Sequence, residues 1–103
     1  MAKKSQQRSL RVLIGGQLWT IAYKPLKRRN LCGLCDYESK TISICTSMEH
    51  LVELDTLLHE LLHAAQGFAS EDHVSEVATT LATILWQLGY RKEADHGSDK
   101  GNG

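Results

Sequence analysis

Residues 57–65 read Leu-Leu-His-Glu-Leu-Leu-His-Ala-Ala, an apolar run interrupted only by His59, Glu60 and His63. On an α-helix, residues i and i+4 lie one turn apart on the same face, so the two imidazoles project together. Neutral imidazoles at that spacing can hold one Zn2+, with the intervening acid beside the ion as a base for its water. A five-residue pattern needs support from its surroundings. Residues 48–66 contain no Gly or Pro, and Leu51, Leu54, Leu58, Leu61, Leu62 and Ala65 recur at helical spacing. Thr46-Ser47-Met48-Glu49 reads as a capping box with Thr46 as N-cap and Glu49 at the third helical position, and Gly67 reads as a stop. The expectation is a helix over about 47–66. The alternative is a helix carrying two edge histidines and an acid with no ligand. It would leave three polar groups in a run that otherwise reads as buried, at a cost of several kcal/mol unless something pairs with them.

Before this helix the pattern is strand-like. Residues 10–14 read as a strand, Gly15-Gly16 as a two-residue hairpin turn, and residues 17–24 as the return strand. Trp19, Ile21 and Tyr23 fall on one face of it, and Leu18, Thr20 and Ala22 on the other. Pro25 ends the strand, and residues 25–30 form a polar loop. Residues 31–37 read as a short strand, 38–40 as a turn, and 41–45 as an alternating β-branched strand with one buried face. After the first helix, Ser70 can cap a second, favoured by Glu71 and Asp72 in its first turn, running to about Leu88 with Gly89 as its stop. Val74, Val77, Ala78, Leu81, Ile84, Leu85 and Leu88 make its expected core stripe. The expected class is α+β: a small antiparallel or mixed sheet of three to four strands packed on two helices. Residues 9–90 form a single domain, preceded by a loose basic arm at 1–8 and followed by a polar, Gly-rich, disordered tail at 91–103.

With 103 residues, the chain has a modest core and no room for a separate substrate domain. No apolar stretch approaches the roughly 18–20 residues that cross a membrane. The N-terminus is basic but lacks the apolar segment of a signal peptide, which gives a cytoplasmic expectation. Net charge is zero, yet residues 1–30 hold eight Lys or Arg and no acid, whereas 36–76 hold nine acids and one Lys. Lys27, Arg28 and Arg29 are the densest cationic patch, a candidate for nucleic acid or an acidic partner. No aromatic interleaving supports the nucleic-acid reading. Cys32, Cys35 and Cys45 are an odd number, which argues against a disulfide framework. Cys32 and Cys35 make a C-x-x-C, but a structural zinc needs a second ligand pair. These cysteines read as small apolar residues on strands.

A catalytic zinc takes three protein ligands and leaves one position open. Glu71, His73 and Glu76 are the candidates for the third. On a helical wheel Glu71 and His73 flank the second helix's core stripe from opposite sides, while Glu76 points mostly to solvent. A tight antiparallel hairpin about residue 68 would instead set 63 level with 73, and 59–60 level with 76–77. The order of preference is Glu71, His73, Glu76, with all three open. The extended pattern that continues with Gly and a third His is excluded, because positions 66 and 69 are Gln and Ala.

Over about residues 10–88 the chain resembles minimal zincin-type metallopeptidases. These are often small phage- or prophage-borne proteins, akin to the ImmA/IrrE-type and SprT-like groups. The likeness is carried by residues 56–64, with softer matches at 33–37, 41–44, Ser70-Glu71, Val74 and Leu81. The resemblance implies a small sheet whose edge strand can pair with an extended peptide above the helix of His59 and His63. It carries those two over as metal ligands and Glu60 as catalytic base. Related gluzincins take the third ligand from a Glu on the following helix, which suits Glu71; SprT-like proteins use a His, which suits His73. The expected function is zinc-dependent hydrolysis of a peptide or protein substrate, with Tyr37, His50, His73 or Tyr90 as candidate second electrophile. Two rivals stand beside it: a catalytically idle metal-binding interaction module, and a nucleic-acid-associated factor using the basic N-terminal third.

Overall fold

Gly15 and Gly16 take φ of 60° and 82°, the left-handed pair that a two-residue hairpin turn needs to match the twist of its strands. They join β1 (Arg8–Ile14) to β2 (Gln17–Lys24). The computed structural model describes residues 8–25, 32–46 and 49–92. Two further strands follow, β3 (Gly33–Asp36) and β4 (Thr41–Cys45), and then two helices, α1 (His50–Ala65) and α2 (Glu71–Gln87).

The sheet runs in the order β1-β2-β4-β3. β1/β2 and β3/β4 are antiparallel, and β2 pairs β4 in parallel, with Ile21 opposite Ile42 and Tyr23 opposite Ile44. The fold is therefore α+β with a mixed four-stranded sheet. Asp36 closes the β3–β4 turn: its Oδ1 accepts the backbone N–H of Glu38 at 3.0 Å and of Ser39 at 3.4 Å. Those bonds, Ser39's first, hold the Asp36 carboxyl below its ordinary range.

Period-two alternation decides the core. Trp19 and Ile21 of β2 and Ile42 and Ile44 of β4 form one buried cluster, while Leu18 faces outward. From α1, Leu57, Leu61 and Ala64 settle on that cluster, at i, i+4 and i+7. The principal contact of α2 is with α1. It approaches through Val74, Ala78 and Ala82, each essentially inaccessible, and residues this small allow close packing of the two helices. The layers are thus sheet, α1, α2. Ile44→Ala should cost about 2–5 kcal/mol, since it leaves a cavity in the fully buried face of β4. A urea titration checks this: the midpoint should fall with little change in slope.

Four expectations need correction. The strand at 41–45 is buried on both faces, not one: Ser43 and Cys45 are covered as well as Ile42 and Ile44, in a strand that runs between β2 and β3. The capping box does not form: α1 starts at His50, and Glu49 stands at the N-cap in extended conformation (φ −64°, ψ 154°) with no side-chain cap bond. Residues 47 and 48 lie outside the described residues. The buried stripe of α2 is 74/78/82; Leu81, Ile84 and Leu88 face solvent, because α1 approaches along the small residues. Finally, the tail expectation at 91–103 fails at its first two positions. Arg91 lies over the Trp86 ring at 3.4 Å and donates to the Trp86 and Tyr90 carbonyls. Lys92 Nζ sits 2.9 Å from the buried Glu53 carboxylate. Positions 93–103, and 1–7 of the N-terminal arm, lie outside the described residues.

Candidate metal centre

The helical phase of α1 puts His59 and His63 on one face, with Nε2 atoms 3.2 Å apart. A short turn closed by Ala69 N–H on the Gln66 carbonyl returns the chain. The Ser70 hydroxyl then accepts the His73 N–H at 3.1 Å and starts α2 at Glu71. At this first helical position, Glu71 points back at the end of α1. Its Oε1 lies 3.0 Å from His63 Nε2, and its Oε2 lies 3.0 Å from His59 Nε2. Ser75 Oγ donates to Oε2 at 3.4 Å and steadies the carboxylate. His59, His63 and Glu71 form a group that could hold a metal ion.

His73 and Glu76 do not join this group; both are exposed. At about 100° per residue, position 73 is turned roughly 200° from 71 on the helix, so the cap that aims Glu71 at the imidazoles aims His73 away. The donors fit a small divalent ion. Ligands about 2.0–2.1 Å from tetrahedral zinc are separated by about 3.3 Å, close to the spacings of 3.0 and 3.2 Å seen here. Two imidazoles and a carboxylate are a donor set of the kind that divalent transition metals accept.

Glu60 projects from the same turn toward β3. Burial pushes its carboxyl above the ordinary range, Glu71 adds to the rise, and His59 and His63 oppose it. At position 33 the strand comes close to the helix. A β-carbon there would stand 2.7 Å from Thr56 Cγ2 and 3.1 Å from both Cγ and Oε2 of Glu60. Glycine is what lets Glu60 lie against β3. The neighbouring Cys35 thiol is pushed up by burial and then by Glu60.

β3 is an edge strand, and its register shows which backbone groups face outward. Cys45 N–H donates to the Cys32 carbonyl at 2.8 Å, so the 32/45 pair is hydrogen-bonded. Such pairs alternate along an antiparallel ladder. The pairs 34/43 and 36/41 are therefore bonded too, and the N–H and C=O groups of Gly33 and Cys35 point to the open edge. Beside that edge runs a groove of about 570 Å3. Cys32 and Gly33 form one wall, Thr79, Ala82 and Thr83 of α2 the other, and α1 from Leu51 to Glu60 the floor.

The candidate second electrophiles separate. Tyr37 OH donates to the His63 carbonyl at 2.7 Å, which ties the β3–β4 turn to the end of α1. His50 and Tyr90 line a different cavity of about 300 Å3 that none of the three ligand candidates borders. Cys32 and Cys35 stand on opposite faces of an extended strand, with Cα atoms about 10 Å apart at ~3.3 Å per residue, beyond the reach of a disulfide. Lys27, Arg28 and Arg29 lie outside the described residues. No helix among the described residues is long and apolar enough to cross a membrane. Reading the sequence missed the groove and the part played by Gly33, although a glycine inside a strand is itself a sign of close approach. No protein family matches the chain, and comparison with curated proteins and with solved structures finds no match.

Proposed function

We propose that the chain is a zinc-dependent peptide hydrolase of zincin type, acting on extended segments laid along β3. The observation that carries this reading is the convergence of His59, His63 and Glu71 beside a half-buried Glu60, with His59 and Glu60 both lining an open groove. His59 and His63 from α1 and Glu71 from α2 would hold the metal. When bound, such an ion supplies Lewis acidity, acidifying water and polarising a carbonyl.

The remaining work belongs to the chain's own groups. Glu60 takes the proton of the attacking water and returns it to the leaving amine, a shuttle suited to a carboxylate whose basicity is raised by burial. The outward N–H and C=O groups of Gly33 and Cys35 can pair with substrate backbone, laying a peptide across Glu60. Tyr37 holds the His63 end of α1 in place, and Ser75 holds the Glu71 carboxylate.

The test is cleavage of a mixed peptide library by zinc-loaded protein, followed by mass spectrometry. Wild type should cut, and Glu60→Gln, with its metal retained, should lose at least about 100-fold in rate, in keeping with the loss of a general base. Undiminished cutting by Glu60→Gln would remove Glu60 from this role. Metal-loaded wild type that binds peptides without cutting any would leave an interaction module.

A further inference from the structure

We infer that the groove selects peptides carrying lysine or arginine two residues from the bond to be cut, with Asp55 reading that charge. This rests on the proposed hydrolase function and extends it to a substrate class. Asp55 lies one helical turn before His59 and lines the same groove. Four residues of helix advance about 6 Å, and an extended peptide advances about 3.3–3.4 Å per residue. The side chain above Asp55 therefore belongs to the residue about two positions from the one above His59. Side chains two apart on an extended strand share a face, so when the reacting residue faces α1, that second residue does too.

The surroundings of Asp55 specify a cation. Thr79 Oγ1 donates to its Oδ2 at 2.9 Å, bracing the carboxylate from the opposite wall and leaving acceptor positions unused. Among the described residues lining the groove, the other charge-bearing groups are Glu60, His59 and the Cys32 thiol; none is Lys or Arg. An acidic side chain entering there would meet like charge. A lysine or arginine would lay its methylene stem along Val52 and Leu51, both more than a third exposed, and carry its head to Asp55.

Two measurements test this together. Zinc-loaded protein is incubated with a blocked decapeptide library and its cleavage sites are read by mass spectrometry. In parallel, Glu60→Gln protein is titrated by fluorescence anisotropy with two labelled peptides differing only by Lys or Glu at the chosen position. Basic residues should be favoured about tenfold over acidic ones two residues from the cut. The ratio should fall to near one in Asp55→Asn and invert in Asp55→Lys, so either folded variant decides the matter. Cleavage without that preference, or a preference that survives Asp55→Asn, overturns the selection and leaves hydrolysis standing. No cleavage, with anisotropy still dependent on Asp55, overturns hydrolysis and the spacing from a cut bond, and leaves recognition of a basic side chain by Asp55. Neither cleavage nor binding overturns both.

Discussion

Wild-type protein and Glu60→Gln are each expected to retain one equivalent of zinc through gel filtration, while His59→Ala and His63→Ala retain none. The reason is geometric. The imidazoles would supply two of the three donors of the candidate site, and no other described histidine or acid is near enough to replace them. Loss of an outer-shell partner alone typically lowers metal affinity about 10–100-fold, so loss of a direct ligand should exceed 100-fold. Glu71→Gln should fall between, since it keeps an oxygen donor but loses the charge. His73→Ala and Glu76→Ala should bind as wild type does. Thermal unfolding gives an independent readout. Metal at 100 times Kd stabilises the native state by about 2.7 kcal/mol, which raises Tm on the order of 10 °C for a chain of this size. That rise should vanish in the His59 and His63 variants. Retention of zinc by His63→Ala, or an equal loss in His73→Ala, would overturn the assignment of ligands.

Gly33→Val should damage both the fold and the catalytic function proposed here. A β-carbon at position 33 would meet Thr56 Cγ2 at 2.7 Å, a separation that packed side chains do not sustain, and would crowd Glu60. Either β3 lifts from α1 or Glu60 swings out of its half-buried position. Overpacking of this kind costs about 1–3 kcal/mol, read as a lowered urea midpoint, and displacement of Glu60 should lower peptide cleavage at least about tenfold. Gly33→Ala should show the same effects on a smaller scale. Thr56→Ser removes the clashing methyl and keeps the hydroxyl. In the Gly33→Ala background it should recover much of the stability and little of the activity, because the crowding of Glu60 remains. Full activity in Gly33→Val would show that Glu60 tolerates displacement from β3.

The boundary between what sequence and tertiary structure each determine runs between local and long-range geometry. Spacing of four on a regular helix brings His59 and His63 together wherever that helix lies, because 3.6 residues per turn is a property of the backbone. Strict alternation likewise sends Trp19, Ile21, Ile42 and Ile44 to one face, because a strand repeats every two residues. The turn at Gly15-Gly16 and the Ser70 cap follow from chemistry within a few residues. The start of α1 did not follow, since Glu49 serves as N-cap without the box that the local pattern suggested. Nor did the choice of Glu71 over His73, which depends on how the 66–70 connection returns the chain and on the rotation of α2 about its axis. A change of 100° in that phase, one residue's worth, would have presented a different side chain to the imidazoles. The buried stripe of α2 was decided in the same way. Val74, Ala78 and Ala82 went inward in place of the larger Leu81 and Ile84 because close packing on α1 favours small residues at the contact. Periodicity identifies the faces of each element; only the assembled layers determine which neighbour each face meets, and so which groups line the groove.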